Sequence, residues 1–231
     1  MICAKPPKPN GFWGLFCYDI DMKWIVGIDE VGRGPVAGPV AVCACAILDK
    51  DYKKLKRLKF TDSKKMSEKS RNTWYKSFLE MKKRGEIKFS VVYKTNKFID
   101  KNGISKSLKD SIATVLKDLS LEPRETTVLL DGALRAPDIY KNQKTIIKGD
   151  QKEKIISLAS IVAKVSRDQK MLLFHKKHPL YSWDKNKGYG TKDHYKAMKK
   201  FGLSELHRKT FLTKLTPNKP ITRDNTSSFS S

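Results

Sequence analysis

Two adjacent carboxylates, Asp29 and Glu30, close the apolar run Trp24-Ile25-Val26-Gly27-Ile28, and the turn Gly32-Arg33-Gly34 follows at once. Carboxylates at the end of a buried strand suit a hard divalent cation, which takes oxygen ligands. A glycine turn carrying an arginine lets backbone amides approach an anion, because no β-carbon intervenes. The stretch from Gly27 to Val40 therefore places a metal and a phosphate side by side. Two more acids share the setting. Asp131 follows the apolar run Thr127-Val128-Leu129-Leu130, and Asp150 follows Thr145-Ile146-Ile147. Strand ends are where ligand sites of α/β sheets are built. Four carboxylates converging there would repel one another unless cations neutralised them, and an oxygen-rich site of this kind suits Mg²⁺ or Mn²⁺. Two such ions about 4 Å apart can activate water and stabilise a leaving oxygen in phosphodiester cleavage. Any one of these acids alone is as well explained by a turn or a helix cap. The set of four carries the metal reading.

The elements that must position these acids can be read from periodicity. Residues 24–29 read as a strand, and the β-branched run 40–48 as its hairpin partner across a Gly/Pro-rich turn. Residues 61–67 read as loop. Trp74, Phe78 and Met81 fall at helical spacing within 68–83, and Gly85 stops that helix. A strand is expected over 87–93. Ile104, Leu108, Ile112, Val115 and Leu119 line one face of a second helix. Short strands over 127–130 and 145–147 follow, then a helix over 153–173 whose Ala159, Ser160 and Ala163 permit close packing on a sheet. Residues 178–195 read as loop and 193–201 as a last helix. Strands first, then strands alternating with helices, predict an α/β mixed sheet flanked by helices. The 231 residues divide into an N-terminal extension (1–23), a catalytic domain with a C-terminal helical part (24–215) and a polar, disordered tail (216–231). Within the extension, the aromatic stretch from Phe12 to Tyr18 is expected to pack at the core edge.

Charge is the strongest global feature. Lys and Arg number 48 against 24 Asp and Glu, a net of +24, and so much like charge favours a polyanionic partner. Nucleic acid is the leading candidate. An A/T-rich genome, which enriches lysine everywhere, would give a merely solvated basic surface. An anionic membrane is disfavoured because the basic residues are spread out and form no amphipathic basic helix. No apolar run approaches the roughly 20 residues that span a bilayer. The N-terminus lacks the pattern of a secretory signal. Cys3, Cys17, Cys43 and Cys45 offer no zinc spacing and read as thiols in a reducing compartment. A cytoplasmic monomer is expected.

Seven motifs stand in order along the chain: G-I-D-E-V-G-R-G-P at 27–35, D-S-K-K at 62–65, L-L-D-G at 129–132, K-G-D at 148–150, A-S-I-V-A-K-V-S-R-D at 159–168, K-G-Y-G-T at 187–191 and H-R-K-T-F at 207–211. In this order they resemble type 2 ribonuclease H, the ribonuclease HII family, from about Ile25 to Phe211. The resemblance implies a ribonuclease H fold, with a five-stranded mixed β-sheet flanked by helices. It also implies hydrolysis of RNA in RNA–DNA hybrids and nicking 5′ to ribonucleotides embedded in duplex DNA. By motif, Asp29, Glu30, Asp131 and Asp150 match the metal-binding acids. Gly32, Arg33 and Gly34 match the turn that contacts the ribose 2′-hydroxyl and its phosphate, and Tyr189 matches the tyrosine that packs on the next deoxyribose. A 2′-hydroxyl is the group that separates RNA from DNA at one site. Ser63, Lys64 and Lys65 lie in a loop before a helix, where the lysines could grip phosphates or simply be solvated. Asp168 is left outside the metal set, since it could pair with a basic residue on its own helix. His194 follows the Tyr189 loop and is the histidine to watch. Leu158 stands where the family often has alanine, and Asn186 where it often has histidine. Two rivals are a type 3 ribonuclease H, which normally carries an extra N-terminal domain, and a catalytically silent basic nucleic-acid-binding domain.

Overall fold

In the computed structural model, which describes residues 23–60 and 63–213, the run ending in Asp29 is the central strand of a five-stranded sheet. Strand β1 (Trp24–Val31) pairs antiparallel with β2 (Val40–Leu48), which pairs antiparallel with β3 (Lys88–Lys94). On its other side β1 pairs parallel with β4 (Thr126–Asp131), and β4 parallel with β5 (Gln143–Ile146). The order is β3-β2-β1-β4-β5, a mixed sheet as expected. Three parallel strands thus end on one edge, and Asp29 and Asp131 lie one residue past the Ile28–Leu130 pair.

Strand alternation divides the core into two layers. Val26, Ile28, Val42, Ala44, Val128 and Leu130 face helix α3 (Asn96–Leu119), packing on its Ile99, Leu108, Ile112, Val115 and Leu119. Cys43, Cys45 and Ile47 face the opposite layer. It is built by α1 (Asp49–Arg57), α2 (Glu68–Lys83) and α5 (Lys154–Lys177), the last reached through the one-turn helix α4 (Gly149–Lys152). A β-carbon at Gly27 would stand 2.4 Å from the Ile155 carbonyl carbon, so glycine lets the start of α5 lie directly on β1. A third cluster, Val36, Ala37, Met171, Tyr181, Trp183, Met198 and Leu212, seats the C-terminal part, with α6 (Trp183–Asn186) and α7 (Lys192–Phe201).

Several elements depart from expectation. Helix α3 starts at Asn96, eight residues before the predicted face begins at Ile104; Gly103 (φ 77°, ψ 162°) is not helical, so residues 96–102 form a short helical segment kinked against the longer one that carries the predicted face. Thr95 caps its start, accepting from Phe98 N–H at 3.2 Å. Helix α1 has no sequence counterpart: its nine residues are mostly charged, and only Tyr52 and Leu55 are buried. Helix α4 was expected as strand end, and residues 179–186 as loop rather than short helices. The aromatic stretch Phe12–Tyr18, the extension before Lys23, the tail 216–231, and Thr61 and Asp62 lie outside the described residues.

Tyr52 ties α1 to the start of α5, its hydroxyl donating to Glu153 Oε2 at 2.7 Å. A hydrogen bond to a charged acceptor contributes about 1.5 kcal/mol, so Tyr52→Phe should lower Tm by roughly 4 °C, measurable by calorimetry. An unchanged Tm would mean that α1 is held by packing alone.

Candidate active site

The sheet topology brings three of the four predicted acids to one edge. Asp29 is buried at 5% exposure, with its side chain on the α5 face. It accepts from the Ser160 hydroxyl of α5 and, at 2.8 Å, from Glu30 N–H. Ser160 Oγ lies 2.8 Å from Ser63 Oγ. An ionised carboxylate only accepts, so Ser160 donates to Asp29 and Ser63 donates to Ser160. Glu30 points to the other side of the strand, 4.0 Å from the Arg33 guanidinium. Asp131 ends β4, and its Oδ1 accepts from Gly149 N–H at 2.6 Å. Lys148, in the left-handed region at φ 56°, turns the chain there into α4, where Asp150 is buried. Asp150 pairs with Lys64 Nζ at 3.1 Å.

Electrostatics shows what this crowding costs. Burial, then the charge of Glu30, holds the Asp29 carboxyl well above the usual carboxylate range, against the Ser160 hydrogen bond; Asp131 adds to the rise. Burial, then Asp131, raises Glu30 too, while Arg33 and Lys64 pull it down. These are oxygen donors with uncompensated negative charge, the chemistry a hard divalent cation matches. Among the described residues no three of them are drawn together as a ready chelate. Lys64 and Gly149 N–H hold Asp150 and Asp131.

Beside the acids, the turn after β1 is held from within by two buried arginines. Arg208 donates to the carbonyls of Gly32 (2.7 Å), Arg33 (3.0 Å) and Gly38 (3.0 Å). Arg167, on α5, donates to Pro39 (2.9 Å), Ala37 (3.4 Å) and Lys187 (3.0 Å). A trans peptide points its N–H opposite to its C=O, so the N–H groups of Arg33 and Gly34 face away from Arg208. Gly32 must be glycine here: its φ is +87°, and a β-carbon would sit 2.2 Å from Arg167 Nε. The Tyr189 loop joins the same unit, since Gly188 C=O accepts from Val36 N–H (2.9 Å) and Ala37 N–H (3.2 Å). Tyr189 itself is 42% exposed.

The candidate residues thus fall into three places. Asp29, Glu30 and Asp131 share the sheet edge, with Asp150 joined to it through Lys64. Gly32, Arg33, Gly34 and Tyr189 border that edge on one tied loop unit. Ser63 is buried behind Asp29, against Ser160, and not at the surface. Asp168 pairs with Lys164 at 3.0 Å.

The chain matches the sequence profile described as Ribonuclease HII over residues 26–214. It belongs to the ribonuclease HII family. Named ribonuclease HII relatives include that of Clostridium beijerinckii, 41% identical over 84% of this chain and 69% of the relative. Another, from Fusobacterium nucleatum, is 41% identical over 87% of this chain and 91% of the relative. The crystal structure of ribonuclease H2 from Pyrococcus horikoshii shares the fold, with a TM-score of 0.66 at 24% identity, over 81% of this chain and 93% of that one. The chain is an endoribonuclease of the ribonuclease H class, whose members act on RNA–DNA hybrids and depend on metal. No helix among the described residues is long and apolar enough to cross a membrane.

Both departures from the ribonuclease HII pattern are accommodated. Leu158 is fully buried in the α5 layer. Asn186 braces the Tyr189 loop: its Nδ2 donates to Tyr181 C=O at 2.7 Å and its Oδ1 accepts from Gly188 N–H at 2.8 Å. Sequence reading assigned no role to Arg167, Arg208 or His207. Each lies inside a quoted motif, yet a buried cation serving only carbonyls leaves no pattern of its own in a sequence this rich in basic residues.

Proposed function

We propose that the chain nicks on the 5′ side of ribonucleotides embedded in duplex DNA, as well as cutting the RNA strand of RNA–DNA hybrids, leaving 5′-phosphate and 3′-hydroxyl ends. Its partners are these duplexes, and its role is ribonucleotide removal and RNA primer removal, as a cytoplasmic monomer. The observation that carries this reading is the tie between the Gly32–Gly34 turn and the Tyr189 loop, beside the carboxylate edge. The outward N–H groups of Arg33 and Gly34 suit a phosphate and a 2′-hydroxyl, and Arg33 adds charge. The exposed Tyr189 ring suits the flat face of a sugar without a 2′-hydroxyl. Lys64, on the Asp150 side, suits the backbone phosphates.

Asp29, Glu30, Asp131 and Asp150 would hold Mg²⁺ or Mn²⁺. Bound there, such ions would supply the charge that acidifies a water and stabilises a leaving 3′-oxygen. Ser160, set by Ser63, orients the Asp29 carboxylate, and Gly149 N–H fixes Asp131. A DNA duplex with one ribonucleotide, incubated with and without EDTA, tests the reading. Nicking 5′ to the ribonucleotide in Mg²⁺ or Mn²⁺, abolished by EDTA, is expected. Binding without cleavage in both metals would refute it and favour a silent binding domain.

A further inference from the structure

Behind Tyr189 lies a buried pair of histidines that the reaction does not use. His194 and His207 are each 1% exposed, and their Nε2 atoms stand 3.1 Å apart. The hydrogen-bond partners fix every proton on the two rings. Ser204 N–H donates to His207 Nδ1 at 2.9 Å, so that nitrogen is an acceptor and a neutral ring carries its proton on Nε2. Trp183 Nε1, which can only donate, gives its proton to His194 Nε2 at 3.0 Å. The single lone pair of that nitrogen is shared between Trp183 Nε1–H and His207 Nε2–H. The remaining proton of His194 sits on Nδ1, which lies 2.9 Å from Tyr189 C=O. The chain runs one way, from Ser204 through His207 and His194 to the Tyr189 peptide. Neutral rings are consistent with burial, which lowers both; His207, pressed also by His194, falls to about 4.

We infer that His194 and His207 are positioning residues that set the Tyr189 peptide, and through it the ring's ability to tell a deoxyribose from a ribose next to the cut. The inference rests on the proposed role of Tyr189 at the RNA-to-DNA junction. The physical reason is directional. Tyr189 stands between two glycines, and its carbonyl accepts from both Thr191 N–H (2.9 Å) and His194 Nδ1–H. The histidine bond comes from a rigid ring packed edge-on to Trp183. It joins the Tyr189 carbonyl to the buried core, while Asn186 of α6 holds the N–H groups of Gly188 (2.8 Å) and Tyr189 (2.9 Å).

The test is a ratio: the cleavage rate at a single embedded ribonucleotide divided by the rate on a continuous RNA–DNA hybrid. Tyr189→Ala and His194→Phe should each lower that ratio about tenfold, because a loosely held specificity group loses discrimination. His194→Asn should keep most of it, since its amide N–H reaches the place of Nδ1. A wild-type ratio in His194→Phe, with a lowered one in Tyr189→Ala, overturns the inference and leaves the Tyr189 reading intact. A wild-type ratio in Tyr189→Ala overturns that reading itself. Should His194→Phe fail to fold, nitrogen-15 correlation spectra of the folded wild-type protein decide. His194 as the Nδ1–H form and His207 as the Nε2–H form support the relay, and either ring in the opposite form overturns it.

Discussion

Asp29→Asn should reduce cleavage of an RNA–DNA hybrid by at least about 10³-fold while raising the Tm of the metal-free protein. The loss follows from the charge. A carboxylate that helps hold a catalytic cation supports several kcal/mol of transition-state stabilisation, and each ~1.4 kcal/mol is tenfold in rate. The neutral amide still fits beside Ser160 and Glu30 N–H, so the site keeps its shape. Duplex binding should survive, because the lysines and the glycine turn are untouched. The stability gain has the opposite origin. Asp29 is held above the ordinary carboxylate range by burial, then by Glu30. With the folded value raised, the unfolded chain releases this proton more easily. Stability is therefore lost as pH rises from about 4 through the raised folded value, and it stays lost at pH 7. Asparagine removes that penalty. The gain in EDTA at pH 7 should vanish below about pH 4, where both states of the wild type are protonated. Thermal melts at both pH values and a single-turnover assay measure this. Wild-type activity, or a lower Tm at pH 7 in EDTA, would refute it.

Arg208→Met should be the most damaging change outside the carboxylates. Its guanidinium holds three carbonyls of the turn after β1, those of Gly32, Arg33 and Gly38. No acid forms an ion pair with it among the described residues; burial, then Arg167, lowers its pKa to about 9, and Asp100 offsets this only in part. Two effects compete. Removing a buried cation relieves its desolvation cost, but two buried acceptors and one part-buried acceptor are left without their donor, at ~1–3 kcal/mol for each buried one. The acceptors win, for a net loss of about 3 kcal/mol and a Tm lower by roughly 9 °C. Cleavage should fall at least about tenfold, since the N–H groups of Arg33 and Gly34 lose their fixed direction. Urea denaturation and kcat/KM on a hybrid measure both. A retained midpoint would show that the turn is held by Gly188 and Arg167 alone.

Sequence by itself determined the family, the α/β class and the identity of the chemical groups. The family's motifs are local, and an apolar run ending in an acid is visible without any long-range contact. Periodicity likewise found β2, α2, the later part of α3 and α7, whose buried faces repeat regularly. It missed α1 and α4, where one turn or two buried side chains carry too little pattern, and it began α3 late, after the break at Gly103.

Only the tertiary structure decided who touches whom. The parallel register of β1 and β4 set Asp29 beside Asp131, a separation of about a hundred residues that no local pattern encodes. It turned Ser63 inward onto Ser160, away from the surface that its place next to Lys64 suggested. It also gave roles to Arg167, Arg208, His194 and His207 behind the Gly32–Gly34 turn and the Tyr189 loop. The reason is physical. An acid at a strand end announces itself by contrast with the apolar run before it. A buried arginine or histidine is defined by the carbonyls and rings around it, and those come together only when β1, α5 and the C-terminal helices pack.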